Sequence, residues 1–258
     1  MQTSSVKPPE EIAILREGGR RLAAILLRVG DAVRKGVSAE TLDALARRLV
    51  AEGGDAPSFL NYQARGDKKR FPSALCVSVN DEVVHGLPTA DKVLREGDIV
   101  SIDLGLRHRG LYTDAALTLA VGAVGTVEEK LIAITKQALA RAVSAAGAGA
   151  TVGDIGFAVE SFVREEGNYG IVRDLAGHGV GRAVHEKPLV PNYGKPGTGV
   201  PLEAGMVLAL EPMLTLGSEQ VVLDSDGFTY RTKDGSRAAH FEHTIVVTEH
   251  GAEILTKI

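Results

Sequence analysis

After a short polar lead, Ile12, Leu15, Leu22, Leu26 and Val33 recur at the spacing of one helical face. Pro8 and Pro9 followed by Glu10 and Glu11 supply the start of that helix. Ser38 then offers an N-cap to a second helix, whose stripe Leu42, Leu45, Ala46, Leu49 and Val50 ends at Gly53 and Gly54. Residues 127 to 147 predict a third helix, and Thr151 caps a fourth that carries Ile155, Val159, Phe162 and Val163. Elsewhere the pattern changes to short runs rich in Val, Ile, Leu and Thr. The clearest is GDIVSIDLGLRHRGLYTDAALTLAVG, a hairpin expected to turn near His108, Arg109 and Gly110.

The helix pairs repeat. A constant shift sets Gly149 on Gly36, Thr151 on Ser38, Ile155 on Leu42, Phe162 on Leu49 and Gly167 on Gly54. Two further matches follow in the strand regions: VHGLP at 84–88 against VHEKP at 184–188, and LREGDIVSID at 94–103 against LEAGMVLALE at 202–211. The second sets Asp103 against Glu211. Matches in one chain order imply two related halves about a pseudo-twofold axis. The expected fold is α+β, with four helices over one face of a sheet and functional groups gathered where the halves meet. No low-complexity linker separates the halves, so residues 1–258 are expected to form a single catalytic domain.

Composition narrows the function classes. Of 258 residues 44% are hydrophobic, an ordinary globular value. The 33 acidic against 29 basic residues, net −4, give no basic footprint for nucleic acid. The single cysteine, Cys76, excludes an internal disulfide and suits a reducing cytoplasm. No apolar run approaches the roughly 18 to 20 residues of a membrane span, and the N-terminus lacks a signal-peptide apolar region.

With the hairpin centred near residue 108, Asp103 and Asp114 are expected to face one another across the strands. Opposed side chains lie about 4.5 to 5.5 Å apart at Cβ, and two buried carboxylates at that range raise each other's pKa unless a cation separates them. The alternative is a bulge that turns one of them to solvent. Four more segments place ionisable residues within apolar or glycine-rich runs: AGHGVGRAVHE with His178 and His185, MVLALEPML with Glu211, FEHTIVVT with Glu242, and EVVHGLP with His85. Burial of each without a partner is costly. Asp103, Asp114, His178, Glu211 and Glu242 together offer four carboxylates and one imidazole, a charge that two divalent cations balance. Such an oxygen-rich set suits paired Mn, Co, Fe or Zn ions sharing one activated water, rather than a structural zinc.

The run KPPEEIAILREGGR, the hairpin with Asp103 and Asp114, GHGVGRAVHE, LEPM and FEHTIVVT together resemble the type I methionine aminopeptidases over nearly the whole chain. The resemblance implies the pita-bread fold, with helices covering a curved antiparallel sheet, and makes Asp103, Asp114, His178, Glu211 and Glu242 ligands of a dinuclear site with a bridging hydroxide. It further implies that Glu211 moves the proton, that His178 and His185 flank the tetrahedral intermediate, and that His85 bonds the substrate near the scissile amide. The implied reaction is removal of N-terminal methionine from nascent chains, preferentially before a small second residue. Cys76, Phe71, Val184 and Phe228 match or neighbour the family's methionine pocket.

This chain departs from the family pattern at Val184 and Phe228, which stand where many bacterial relatives carry larger aromatics and so widen the pocket. It also departs in the long segment QARGDKKR, where Lys68, Lys69 and Arg70 form either a solvated loop or a contact with the ribosome near its exit tunnel. Cys76 lies in the apolar run ALCVSV and reads as a buried hydrophobe rather than a nucleophile. GHGVG lacks the Lys and Ser or Thr of a phosphate-binding loop. Proline-specific relatives share the ligands but usually carry an extra N-terminal domain, and type II methionine aminopeptidases carry a helical insertion for which the interval from Glu211 to Glu242 leaves little room. A non-catalytic or creatine-hydrolysing relative is expected to lack ligands that are intact here. The absence of a cysteine-rich leader favours the short bacterial form, and a monomer is expected.

Overall fold

The computed structural model describes residues 6–63 and 69–257. The apolar stripes form the four expected helices, α1 (Pro9–Gly30), α2 (Ala39–Glu52), α3 (Thr126–Ala145) and α4 (Val152–Glu166). Pro9 opens α1, where a missing N–H costs no helical bond, and Glu10 and Glu11 lie in its first turn, where the helix dipole favours negative charge. The helix stops at Gly30, so Val33 packs onto the α1/α2 core from the following loop rather than from the helix. Ser38 Oγ accepts from the Thr41 N–H at 3.2 Å, and Thr151 with Asp154 forms a reciprocal capping box. Each cap stabilises its helix by about 1 kcal/mol.

Among the described residues the main sheet has nine strands, all paired antiparallel. Its order is Ala56–Pro57, Ile99–His108, Leu111–Ala120, Glu242–Thr248, Val207–Leu210, Gly177–Gly179 and Glu186–Val190. Leu75–Val79 also pairs with Ile99–His108, and Gly251–Ile254 with Glu242–Thr248. The sheet is curved, and the strand alternation divides its faces. Val100, Ile102, Leu104 and Leu106 join α1 and α2 in one core. Leu208, Leu210, Ile245 and Val247 join α3 and α4 in another. The intervening residues, among them Asp103, Asp114 and Glu242, therefore take the face away from the helices.

The duplication holds down to single hydrogen bonds. The N–H of Gly36 donates to Leu94 O at 2.8 Å, and that of Gly149 donates to Leu202 O at 3.0 Å. The return bonds, Leu94 to Val37 O and Leu202 to Ala150 O, measure 2.9 and 2.8 Å. Both glycines take left-handed backbone, φ +86 and +88, which an L side chain adopts only with strain. In the strands, Ser78 pairs with Ser101 as His178 pairs with Ala209.

Candidate metal centre and active site

The hairpin turns on Arg109 and Gly110, both with positive φ (49 and 90), between His108 and Leu111, which pair directly. This centre lies one residue beyond the expected one and shifts the register by two. Asp103 is therefore paired with Ala116, and Asp114 with Gly105, so the two aspartates are diagonal neighbours rather than directly opposed. A shift of two preserves the face, and both carboxylates remain buried beside one another. The register runs unbroken from Ile99 to His108, which removes the bulge alternative.

Asp114 lies where the two halves meet. Its N–H donates to Thr244 Oγ1 at 2.8 Å and its carbonyl accepts from the same hydroxyl at 2.8 Å, tying the first half's hairpin to the strand that begins at Glu242. Glu211 follows the strand Val207–Leu210 and precedes Pro212, which has no N–H to extend the ladder. Its carbonyl accepts from Asn192 Nδ2 at 3.1 Å. His178 stands between Gly177 and Gly179, where an added Cβ would come within 2.4 Å of the Ala209 and Lys187 carbonyl oxygens, so only glycine allows the strands to approach this closely.

These residues line one cavity of about 270 Å³. Asp103, Asp114, His178, Glu211 and Glu242 form one end, and His85, His185, Cys76, Phe71 and Phe228 share the lining. Val184 does not line it but packs behind the wall with Phe59, Phe71 and Cys76. Phe71 and Phe228 meet edge to face, ring centroids 5.5 Å apart. Lys69 and Arg70 are exposed, whereas Lys68 lies outside the described residues.

Three side chains, Asp114, His178 and Glu242, bring one donor atom each within 4.8 Å of one another. Asp103 and Glu211 line the same cavity outside that tight group. Asp103 Oδ1 and Asp114 Oδ1 are buried with no hydrogen-bond partner among the described residues. Burial raises the pKa of Asp103 to about 7. Burial, and then Asp103, push Asp114 and Glu211 well above the carboxylate range, and burial followed by Asp114 does the same to Glu242. Orphaned oxygens and carboxylates driven toward protonation mark a site built for positive charge. His178 Nδ1 lies 2.9 Å from the Gly179 carbonyl, which only accepts, so Nδ1 carries the proton and the lone pair falls on Nε2. Burial, and then His185, lower its pKa to about 3 and keep it neutral, as a metal-binding imidazole must be. Four carboxylates and one neutral imidazole form a donor set that fits divalent cations. Burial, then Asp103, pushes the Cys76 thiol up, which argues against a thiolate nucleophile.

The cavity wall also includes Phe59, Leu175, Leu223 and Tyr230, which the sequence does not single out, and two polar contacts reach the predicted residues. The hydroxyl of Tyr62 lies 2.6 Å from His185 Nδ1. Buried His240 places Nε2 3.7 Å from Glu211 Oε2. His240 could have been suspected from its place two residues before Glu242 in HFEHT, whereas Tyr62 carries no local signal.

The curved two-half sheet carries a cluster fit for cations, and residues 13–249 match the model of metallopeptidase family M24, to which the chain belongs. It is 45% identical over 250 residues to a methionine aminopeptidase of Aquifex aeolicus, covering 96% of each chain. It superposes on the crystal structure of methionine aminopeptidase from Thermotoga maritima with a TM-score of 0.94 at 43% identity, covering 100% of both. Within the family the chain accordingly stands with the type I methionine aminopeptidases, as a metallo-aminopeptidase and hydrolase of the pita-bread fold. A prolidase from Pyrococcus furiosus shares the fold alone, at TM-score 0.75 and 24% identity, and the match spans only 65% of that longer chain. Family membership implies use of a divalent metal. No helix among the described residues is long and apolar enough to cross a membrane.

Proposed function

We propose that the chain removes N-terminal methionine from nascent polypeptides, preferentially before a small second residue, using two divalent ions (Co, Mn, Fe or Zn) held by Asp103, Asp114, His178, Glu211 and Glu242. The supporting observation is the convergence of these five side chains, drawn from both halves, on one cavity with an apolar wall. When bound, the ions supply a water of lowered pKa and polarise the scissile carbonyl. Glu211, which lines the same cavity, takes the proton from the attacking water and returns it to the leaving amine. The Tyr62 hydroxyl lies 2.6 Å from His185 Nδ1, and in the tautomer that accepts it His185 offers Nε2–H to the developing oxyanion, with the His178 ring packed edge-on against it at 4.4 Å. His85, held in a left-handed backbone conformation (φ 58), binds the substrate near the amide. Phe71, Cys76 and Phe228, backed by Val184, receive the methionine side chain.

The whole chain acts as a single catalytic domain and a monomer in the cytoplasm, for which its lone buried cysteine is suited. Exposed Lys69 and Arg70 are available for a ribosomal contact. The test is release of free amino acid from Met-Ala-Ser and Ala-Pro-Ala by metal-stripped protein with and without Mn. Metal-dependent cleavage of the methionyl peptide alone is expected, and cleavage only before proline would overturn the assignment.

A further inference from the structure

His185 projects from an exposed turn that begins at Gly181, yet the ring must be held steadily to serve an oxyanion. The restraint comes from two residues far apart in sequence. Glu186 Oε1 accepts from the N–H groups of Arg182 and Ala183 at 2.5 and 2.9 Å. Its other oxygen accepts from Lys7 Nζ at 2.8 Å, and the two side chains are 0% and 1% exposed. Lys7 is itself fixed, since its N–H donates to Gly205 O at 2.8 Å and Val6 bridges Met206. The Lys7 stem runs beneath the turn so closely that a Cβ on Gly181 would lie 2.6 Å from Lys7 Cε. Above it, Arg182 Nε donates to Glu11 Oε2 in α1 at 3.0 Å.

A fully buried ion pair is no efficient source of stability, because desolvation offsets the attraction and an apolar pair of like volume often serves as well. A carboxylate here does what no apolar side chain can. It satisfies two N–H donors of the His185 turn with one oxygen while the other is anchored to the N-terminal segment.

We propose that Lys7 and Glu186 are positioning residues for His185, so that the N-terminal segment forms part of the active site by strapping the 181–185 turn in place. The inference rests on the role assigned to His185 above. K7M/E186L removes both charges and both acceptors together. With the Arg182 and Ala183 N–H groups left without their acceptor, its Tm is expected to fall by a few degrees, while kcat for Met-Ala-Ser falls on the order of 10- to 100-fold with little change in KM, as misplacement of a catalytic group by about an ångström produces. K7M/E186Q keeps an acceptor for the two N–H groups and is expected to recover most of that loss. In the metal-free proteins, the ¹⁵N and ¹H signals of the His185 ring should shift in the first variant and return in the second. If K7M/E186L folds poorly, E186D serves instead, since it keeps the charge on Lys7 but withdraws the carboxylate by one methylene, and a kcat loss of the same kind is expected. Equal kcat in wild type and the folded variant, or an unmoved His185 signal, would overturn the strap. No methionine release by the wild type would overturn the functional assignment instead.

Discussion

The two halves share one backbone and carry different chemistry. Gly36 and Gly149 close the same hydrogen-bonded turn with the same left-handed φ, and the strands that follow repeat the same pairings. At matched positions the side chains have parted. Ser78 in the first half answers to His178 in the second, and Asp103 answers to Glu211. The first half therefore offers two short carboxylates on a rigid hairpin, and the second offers the longer Glu211, Glu242 and the imidazole. A Glu–Lys pair also lies near His85 and near His185: Glu82 with half-buried Lys92 at 2.7 Å in the first half, and Glu186 of the second half with Lys7 of the N-terminal segment at 2.8 Å. A duplicated frame builds the hollow, and unequal side chains give its two sides different donor groups.

The largest effect is expected from removing matched side chains, Asp103→Ala and Glu211→Ala. Each variant is expected to fold, because each deletes a buried carboxylate whose burial is unfavourable, and to lose activity by several orders of magnitude in peptide-release kinetics. Folded, active protein from either would show that the two halves do not contribute jointly.

A smaller effect concerns pH in the metal-free protein. Carboxylates raised by burial, Asp103 to about 7, contribute stability below their unfolded pKa and lose it as pH rises through the folded value. His178 and His240, lowered to about 3 from 6.5, act oppositely, their contribution growing with pH and complete above 6.5. Above pH 6.5 only the carboxylate effect remains, so Tm measured with chelator should fall from there to about pH 8. Added Mn should raise Tm and remove that fall.

The smallest effect tests the frame itself. Gly36→Ala and Gly149→Ala meet no atoms within 4 Å, so each should cost only the backbone strain of positive φ, about 1 kcal/mol, and by nearly the same amount in denaturant melts. Unequal losses would mean that the two turns are not equivalent.

Much of this frame was legible in the chain, because caps, stripes and glycines act locally. Ser38 and Thr151 cap where expected, and the glycine matches align the halves. The register of the hairpin was not, since opposing Asp103 to Asp114 centres the turn between His108 and Arg109, whereas a two-residue turn prefers glycine at its second position, which Gly110 fills. The site carboxylates were visible because ionisable residues interrupt apolar runs. Tyr62 and Lys7 were not, because their partners lie at His185 and Glu186, far along the chain.

If side chains from both halves create a single centre for two cations, calorimetric titration of Mn into the metal-free protein will register it. Two equivalents bound by the wild type, reduced in both Asp103→Ala and Glu211→Ala, is the result expected. No binding, or binding unaffected by either substitution, would contradict it.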